Sequence, residues 1–207
     1  MNRLHINYKI LFTIKFFLII LFLISASYAD TLNIGADKVT IGSHEAKVKI
    51  KIYSSLTCPH CANFHIKVVP KIKKEFVDSG KVQLIFIDFP LDQAAFNASK
   101  LLHCLDKKKQ ISFLDTIYGN QKIWTRGSNI KDININLKNI VKSLGISSKK
   151  FDNCLIDDVI SDKILNDRIT GNQKYSINST PTIIINEKKL EGSADFKNIK
   201  KIIEKII

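Results

Sequence analysis

The sequence lacks the features that would mark a nucleic-acid-binding or repeat protein. It has no arginine-rich run and no RNA-binding aromatic motif, so its formal net charge of +13 does not by itself indicate a nucleic-acid partner. Lysines are spread along the whole chain, as codon bias in an AT-rich genome would leave them. There is no internal repeat and no low-complexity linker. We therefore predict one domain, with or without a large insertion, and no binding to nucleic acid.

Long hydrophobic runs are also scarce. The uninterrupted apolar run Phe16–Ile24 is shorter than the roughly 20 residues that span a bilayer. Basic residues precede it, and Ser27-Tyr28-Ala29 follows it with small residues at the two positions that a signal peptidase reads. We predict a signal peptide over residues 1–29, cleaved after Ala29, and hence a periplasmic protein. An uncleaved membrane anchor is the alternative, and the absence of a cysteine after the cleavage site argues against a lipoprotein.

Cysteine is rare, and the four cysteines form an even number: Cys58, Cys61, Cys104 and Cys154. An even count in an exported protein suits two disulfides. Three pairings are possible, and one of them joins Cys58 to Cys61 and leaves Cys104 with Cys154.

The motif Cys58-Pro59-His60-Cys61 follows a strand pattern and precedes a helical pattern, and this position favours thiol–disulfide chemistry. A thiol must ionise to act as a nucleophile, and a helix N-terminus stabilises the thiolate. Pro59 suits the first helical turn, where its missing N–H is not needed. His60 can add a hydrogen-bond donor or a positive charge. Cys61 lies one turn further into the helix, so we expect it to be less exposed.

The same cysteine pair could instead form half of a zinc or copper site, with His60, His65 or His103 as further ligands. A closed zinc site has a second ligand pair at matched spacing, and the remaining cysteines do not supply one. We therefore predict no metal and no organic cofactor. Outside the motif, we expect His44, His65 and His103 to be surface or packing residues.

Hydrophobic periodicity predicts strands over 39–41, 48–53, 81–89, 182–186 and 189–191. A helix should begin at the cysteines, kink at Pro70 and end at Asp78-Ser79-Gly80. Helical segments are expected near 93–107, 110–122, 133–144, 148–154 and 156–174, with a closing helix over 194–207. The order predicts an α/β protein with a thioredoxin-type fold. Its core would comprise 30–92 and 175–207, and 93–174 would be a helical insertion domain.

These motifs resemble those of the DsbA-like thiol:disulfide oxidoreductases of the thioredoxin superfamily, most strongly the alphaproteobacterial members. The resemblance covers about residues 40–207. It depends on the four-residue cysteine motif, the Pro70-containing helix and the three further segments Ile87-Asp88-Phe89-Pro90-Leu91, Asn120-Gln121-Lys122-Ile123-Trp124 and Ser179-Thr180-Pro181-Thr182.

The resemblance implies roles for individual residues. Cys58 would be the attacking thiol and Cys61 its buried partner, with His60 stabilising the thiolate. Pro181 would be a cis-proline facing the disulfide, and the Thr180 backbone would pair with a bound peptide. Some members carry a second disulfide in the insertion, which is similar to Cys104 with Cys154.

The family also implies a function. It predicts a monomeric oxidase that introduces disulfides into reduced, unfolded exported proteins and is reoxidised by a DsbB-like quinone-linked membrane protein. Two features depart from a simple oxidase. Relatives often have a buried acid where this chain has Ile52, and threonine before the cis-proline also occurs in disulfide isomerases. An isomerase or reductase kept reduced by a partner, and a non-catalytic surface-exposed protein of the same fold, are the alternatives.

Overall fold

The central sheet has five strands. The computed structural model describes residues 38–207, and the sheet order is β1-β3-β2-β4-β5. β2 runs parallel to β3 and antiparallel to β4, while β1 and β5 close the two edges in antiparallel pairs. The strands are β1 (Val39–Ile41), β2 (Val48–Ser54), β3 (Val82–Asp88), β4 (Thr182–Ile185) and β5 (Lys188–Lys189).

Helices cover both faces of this sheet, and a run of them separates β3 from β4. Residues 38–207 form one compact unit, with a thioredoxin-type α/β core and a helical insertion as predicted. The helices are α1 (Pro59–Lys67), α2 (Val69–Ile72), α3 (Gln93–His103), α4 (Lys107–Gly119), α5 (Gln121–Trp124), α6 (Ile130–Lys142), α7 (Ser148–Leu155), α8 (Asp158–Tyr175) and α9 (Phe196–Ile206).

The central strand β2 alternates as its sequence predicts. Val48, Ile50 and Ile52 are at most 1% exposed and face the main core, which continues through α1 into the insertion. Tyr53 points to the opposite face and packs in a second cluster with Ile87, Phe89, Ile177 and Ile184. Because α8 contributes Tyr175 to that cluster, the sheet is covered on both sides.

The helix that begins at the cysteines is interrupted near Pro70, as predicted. α1 ends at Lys67, Val68 adopts φ −105° and ψ −47°, and α2 restarts with Pro70 in its first turn. Proline lacks the N–H that would continue the ladder, which explains a break just before it. A π-helical turn, Lys73–Val77, completes the segment. Apolar residues recur along this segment at four-residue spacing and form its buried face, which comprises Phe64, Val68, Ile72 and Phe76.

Several predicted boundaries were wrong by a few residues. The helix expected over 133–144 begins at Ile130, because the Asn129 side chain accepts hydrogen bonds from two N–H groups of the first turn. The helix expected over 110–122 is two helices, α4 and α5, separated at Asn120. The last strand begins at Lys188, because Asn186 and Glu187 have positive φ angles and form a two-residue hairpin turn.

The predicted signal peptide and its cleavage site after Ala29 lie outside the described residues. Within residues 38–207, no helix has the length and apolar character needed to cross a membrane.

Candidate active site

Cys58 lies at the N-terminus of α1, in the capping position. Its backbone is extended, with φ −76° and ψ 120°, and Pro59 occupies the first helical turn. The first turn carries no acidic residue, and no side chain caps it. The N–H groups at this end are therefore left to face the Cys58 sulfur. Cys58 and Cys61 are free thiols in this structure, and both are buried.

The surroundings of Cys58 favour its thiolate. Its pKa falls from 9.0 to about 5, chiefly through a hydrogen bond from the Cys61 thiol. Burial opposes this change, while the Thr180 side chain and the N–H groups of Cys61 and His60 add to it. The two backbone N–H groups are donors that a helix N-terminus supplies to a nucleophilic sulfur. Cys58 can therefore act as an attacking group and as a leaving group near neutral pH.

Cys61 is the inner cysteine, as its position one turn into α1 predicts. It is 1% exposed, against 8% for Cys58. Its hydrogen bond to Cys58 and its burial raise its pKa far above the ordinary value. The two thiols thus differ sharply, because one readily ionises and the other stays protonated.

The loop before β4 faces the cysteines across the site. The Thr180–Pro181 peptide bond is cis. As a thiol, Cys58 Sγ donates a hydrogen bond to the Thr180 carbonyl oxygen at 3.3 Å. The Thr180 hydroxyl is the one side-chain oxygen in residues 38–207 that is buried without a hydrogen-bond partner. It lies near both sulfurs and lowers the pKa of each, so it can donate to Cys58 once that sulfur is ionised.

The helical insertion supports the cysteine loop through Gln121 at the start of α5. Its side-chain amide donates to the carbonyl oxygens of Leu56 at 2.8 Å and Cys58 at 3.0 Å. All three groups lie in the interior, where an unpaired carbonyl would be costly. Although Gln121 belongs to a segment that the resemblance used, the sequence did not mark it as a site residue. Nothing local distinguishes it from the other amide side chains of the insertion.

A second set of contacts fixes the residues just before Cys58. The Thr57 hydroxyl donates to Asp92 at 2.7 Å and lies 3.1 Å from the Ser55 hydroxyl. Ser55 in turn accepts from the Leu91 N–H. Because Asp92 also caps α3, the cysteine loop and the start of the insertion are held together.

The histidines occupy different environments. His60 is exposed beside the cysteines, where its backbone N–H contributes to the Cys58 site. His65 is buried and hydrogen-bonds Asp115 at 2.7 Å. The expectation that His103 is only a surface or packing residue missed its buried hydrogen bond to Asp88. A carboxylate at the end of the mostly apolar strand β3 was the signal, because a buried charge needs a partner.

Three other residues named in the sequence analysis can now be located. Cys104 and Cys154 form a disulfide that joins the end of α3 to α7, with a Cα–Cα distance of 6.0 Å. Ile52 is 1% exposed in the main core, so no carboxylate stands at that position. Within residues 38–207, no group of three or more histidine, cysteine or acidic side chains could hold a metal ion.

Comparison with known proteins gives consistent matches. The family model described as Thioredoxin matches residues 35–205. A probable disulfide bond formation protein D from Bacillus cereus is 30% identical over 172 residues, which cover 80% of this chain and 77% of that protein. A putative protein-disulfide oxidoreductase from Rickettsia bellii is 26% identical over 184 residues, or 87% of this chain and 69% of that protein.

Solved structures agree with these sequence matches. The crystal structure of Wolbachia pipientis alpha-DsbA1 is similar with a TM-score of 0.75 and 30% identity, covering 83% of this chain and 91% of that one. BdbD from Bacillus subtilis, in its oxidised form, has a TM-score of 0.71 and 25% identity, covering 81% of this chain and 91% of that one.

Proposed function

Because the chain belongs to the DsbA-like thiol:disulfide oxidoreductases of the thioredoxin superfamily, we propose that it is an oxidase. It introduces disulfides into reduced, unfolded proteins through Cys58-Pro59-His60-Cys61. The observation that carries this proposal is the position of Cys58 at the N-terminus of α1, where its pKa falls to about 5. A stabilised thiolate favours the reduced pair, so the Cys58–Cys61 disulfide is oxidising.

The reaction proceeds by two exchanges. A substrate thiolate attacks Cys58 Sγ, the Cys58–Cys61 bond breaks, and Cys61 leaves and takes up a proton. A second substrate thiolate then attacks the substrate sulfur of the mixed disulfide, and Cys58 leaves as a thiolate. Two electrons pass from the substrate dithiol to the enzyme disulfide. The low pKa of Cys58 makes it a good leaving group in the second exchange.

The loop that carries the cis-proline binds the substrate. In the proposed complex, Pro181 faces the active-site disulfide and the Thr180 backbone pairs with an extended segment of the substrate. The exposed His60 adds a donor at the rim of the site, beside the sulfur that the substrate attacks. The Cys104–Cys154 bridge has a structural role and closes the insertion on itself.

The cellular setting is part of the same proposal. Residues 1–29 act as a signal peptide, so the protein works in the periplasm as a monomer on reduced exported proteins. Turnover needs an electron acceptor, and a DsbB-like quinone-linked membrane protein fills that role. The support is the sequence of the N-terminus and the family membership of the chain.

The reduction potential of the Cys58–Cys61 pair tests the proposal. The protein is equilibrated in glutathione buffers, its thiols are trapped by alkylation, and they are counted by mass. We expect a potential well above that of the glutathione pool. Cys58→Ala should abolish oxidation of a reduced dithiol peptide, whereas Cys104→Ser with Cys154→Ser should retain it.

A potential near that of thioredoxin would contradict the oxidase proposal and favour a reductase or isomerase. Unchanged peptide oxidation by Cys58→Ala would contradict the assignment of the attacking thiol. If the unaltered protein has no redox-active pair at all, the non-catalytic alternative holds.

A further inference from the structure

A buried polar network lies at the end of β3, outside the contacts described for the cysteine loop. Asp88 is 6% exposed and accepts hydrogen bonds from Ser99 Oγ at 2.5 Å and His103 Nε2 at 2.6 Å. His103 Nδ1 in turn lies 3.1 Å from Lys163 Nζ. Burial disfavours ionisation of Asp88, but His103, Ser99 and Lys163 together hold its pKa below the ordinary value. Asp88 is therefore a buried carboxylate with a fixed negative charge.

Tyr118 on α4 links this carboxylate to the cysteine helix. Its ring packs against His65 of α1 at a tilt of 35°, with ring centroids 4.8 Å apart. His65 and Cys61 are four residues apart, so they share one face of α1, and Tyr118 covers that face. The same side chain lines a small cavity with Ser54 and Asp88, which are direct partners in the parallel β2–β3 register.

The electrostatics of Tyr118 agree with this placement. Burial raises its pKa well above the ordinary value, and the charges of Cys61, Asp88 and Cys58 raise it further, against the hydrogen bond from the Ser54 side chain. Tyr118 thus stays a neutral phenol, and it interacts electrostatically with the two cysteines and with Asp88.

We propose that Asp88, fixed as a carboxylate by Ser99 and His103, is a positioning residue that acts across Tyr118 and Ser54 to keep Cys61 protonated after the active-site disulfide opens. It takes the place of the acid that is missing at Ile52. The inference rests on the proposed function, because it concerns the inner thiol of that exchange.

The consequence is a longer-lived mixed disulfide. When a substrate thiolate attacks Cys58, the S–S bond breaks and Cys61 leaves as a thiolate, which then takes a proton from solvent. A protonated Cys61 cannot attack the mixed disulfide and release the substrate unchanged. The buried negative charge of Asp88 therefore favours the second exchange, in which the substrate leaves oxidised.

The test is a thiolate titration of Cys61 in full-length protein carrying Cys58→Ser, followed by ultraviolet absorbance. Adding Asp88→Asn should lower the pKa of Cys61 by about half a unit to one unit, because a nearby like charge is removed. In protein that keeps both thiols, Asp88→Asn should speed the release of glutathione from a Cys58 mixed disulfide about two- to threefold. The higher thiolate fraction outweighs the weaker nucleophile in that reaction.

Five groups besides Asp88 lie around the titrating region, and the control accounts for them. Cys58 is replaced, Tyr118 stays neutral, and His103 with Lys163 is held on the far side of Asp88. His65, whose pKa burial lowers, has its own carboxylate, Asp115, which is 65% exposed. Asp115→Asn is therefore the matched control, and it should leave the Cys61 titration unchanged.

An unchanged pKa of Cys61 in folded Asp88→Asn protein would overturn the proposal, as would an equal shift in Asp115→Asn. Should Asp88→Asn not fold, the ¹³C resonance of the Asp88 carboxyl in Cys58→Ser protein decides the matter. Coupling is reciprocal, so that resonance must move at the pKa of Cys61, and a flat trace would overturn the inference. These titrations need no turnover, so a protein that fails to oxidise peptides would refute the proposed function without deciding this one.

Discussion

The pH dependence of the redox equilibrium is the sharpest consequence of the cysteine site. Reducing the Cys58–Cys61 disulfide with two glutathione thiols releases no proton while both product thiols stay protonated. Above the pKa of Cys58, about 5, the product is a thiolate and one proton is released. The raised pKa of Cys61 keeps the inner thiol protonated over the same range. The equilibrium constant for reduction should therefore rise with pH above 5, with a slope that approaches tenfold for each pH unit.

The magnitude follows directly. From pH 5 to pH 7 the constant should increase about 50-fold, because half of Cys58 is already ionised at its pKa; this corresponds to about 2.3 kcal/mol. For a two-electron couple this is about 50 mV relative to glutathione. The assay equilibrates Cys104→Ser/Cys154→Ser protein with glutathione at fixed pH values, so that only one dithiol pair is counted after alkylation. A constant that is flat between pH 5 and 7 would show that Cys58 stays protonated there, and the reasoning from the helix N-terminus would be refuted.

Three further predictions concern stability. Cys104→Ser with Cys154→Ser opens a loop with a sequence separation of 50 and should cost about 4 kcal/mol, or about 10 °C in Tm; an unchanged calorimetric Tm would contradict the entropic account. Gln121→Ala leaves two buried carbonyls unpaired and should lower the free energy of unfolding in urea by about 2 kcal/mol, while the exposed Gln173→Ala should not; equal effects would contradict the role of the amide. Because the pKa of Cys58 is lower in the folded than in the unfolded protein, its contribution to the stability of the reduced protein is complete above pH 9 and is lost as the pH falls through 5. The free energy of unfolding of the reduced protein, measured in urea relative to Cys58→Ala, should therefore rise by at most about 5 kcal/mol from pH 5 to pH 9. A difference between the two proteins that is the same at all pH values would refute this.

Much of the sheet could be predicted from local pattern. β2 alternates apolar and basic residues and β3 is almost wholly apolar, and each pattern matches the burial of its strand. Boundaries were less predictable where a side chain outside the hydrophobic pattern decides them. Asn129 starts α6 three residues early, and the positive φ angles of Asn186 and Glu187 set the start of β5.

The residues of the site were also only partly predictable from the sequence. The cysteine pair could be identified from sequence, because four adjacent residues carry it. The partners of those cysteines could not, because Gln121, Tyr118 and Asp88 come together only through the packing of α4 and α5 against α1 and of β3 against β2. No periodicity in a sequence reports which distant polar groups will share a buried site.

The order in which the site is assembled has a consequence for synthesis. Cys58 and the Thr180 carbonyl that it contacts are separated by 122 positions along the chain, and β2 pairs with β4 from the same late segment. A growing chain therefore exposes both thiols long before Thr180 and strand β4 exist. Until the last strands dock, these cysteines belong to an incomplete fold, and under the proposed function they are open to oxidation by any finished copy of the same enzyme. The site is thus completed only by the C-terminal segment, and the proposed oxidase would be a substrate, as a nascent chain, before it is a catalyst.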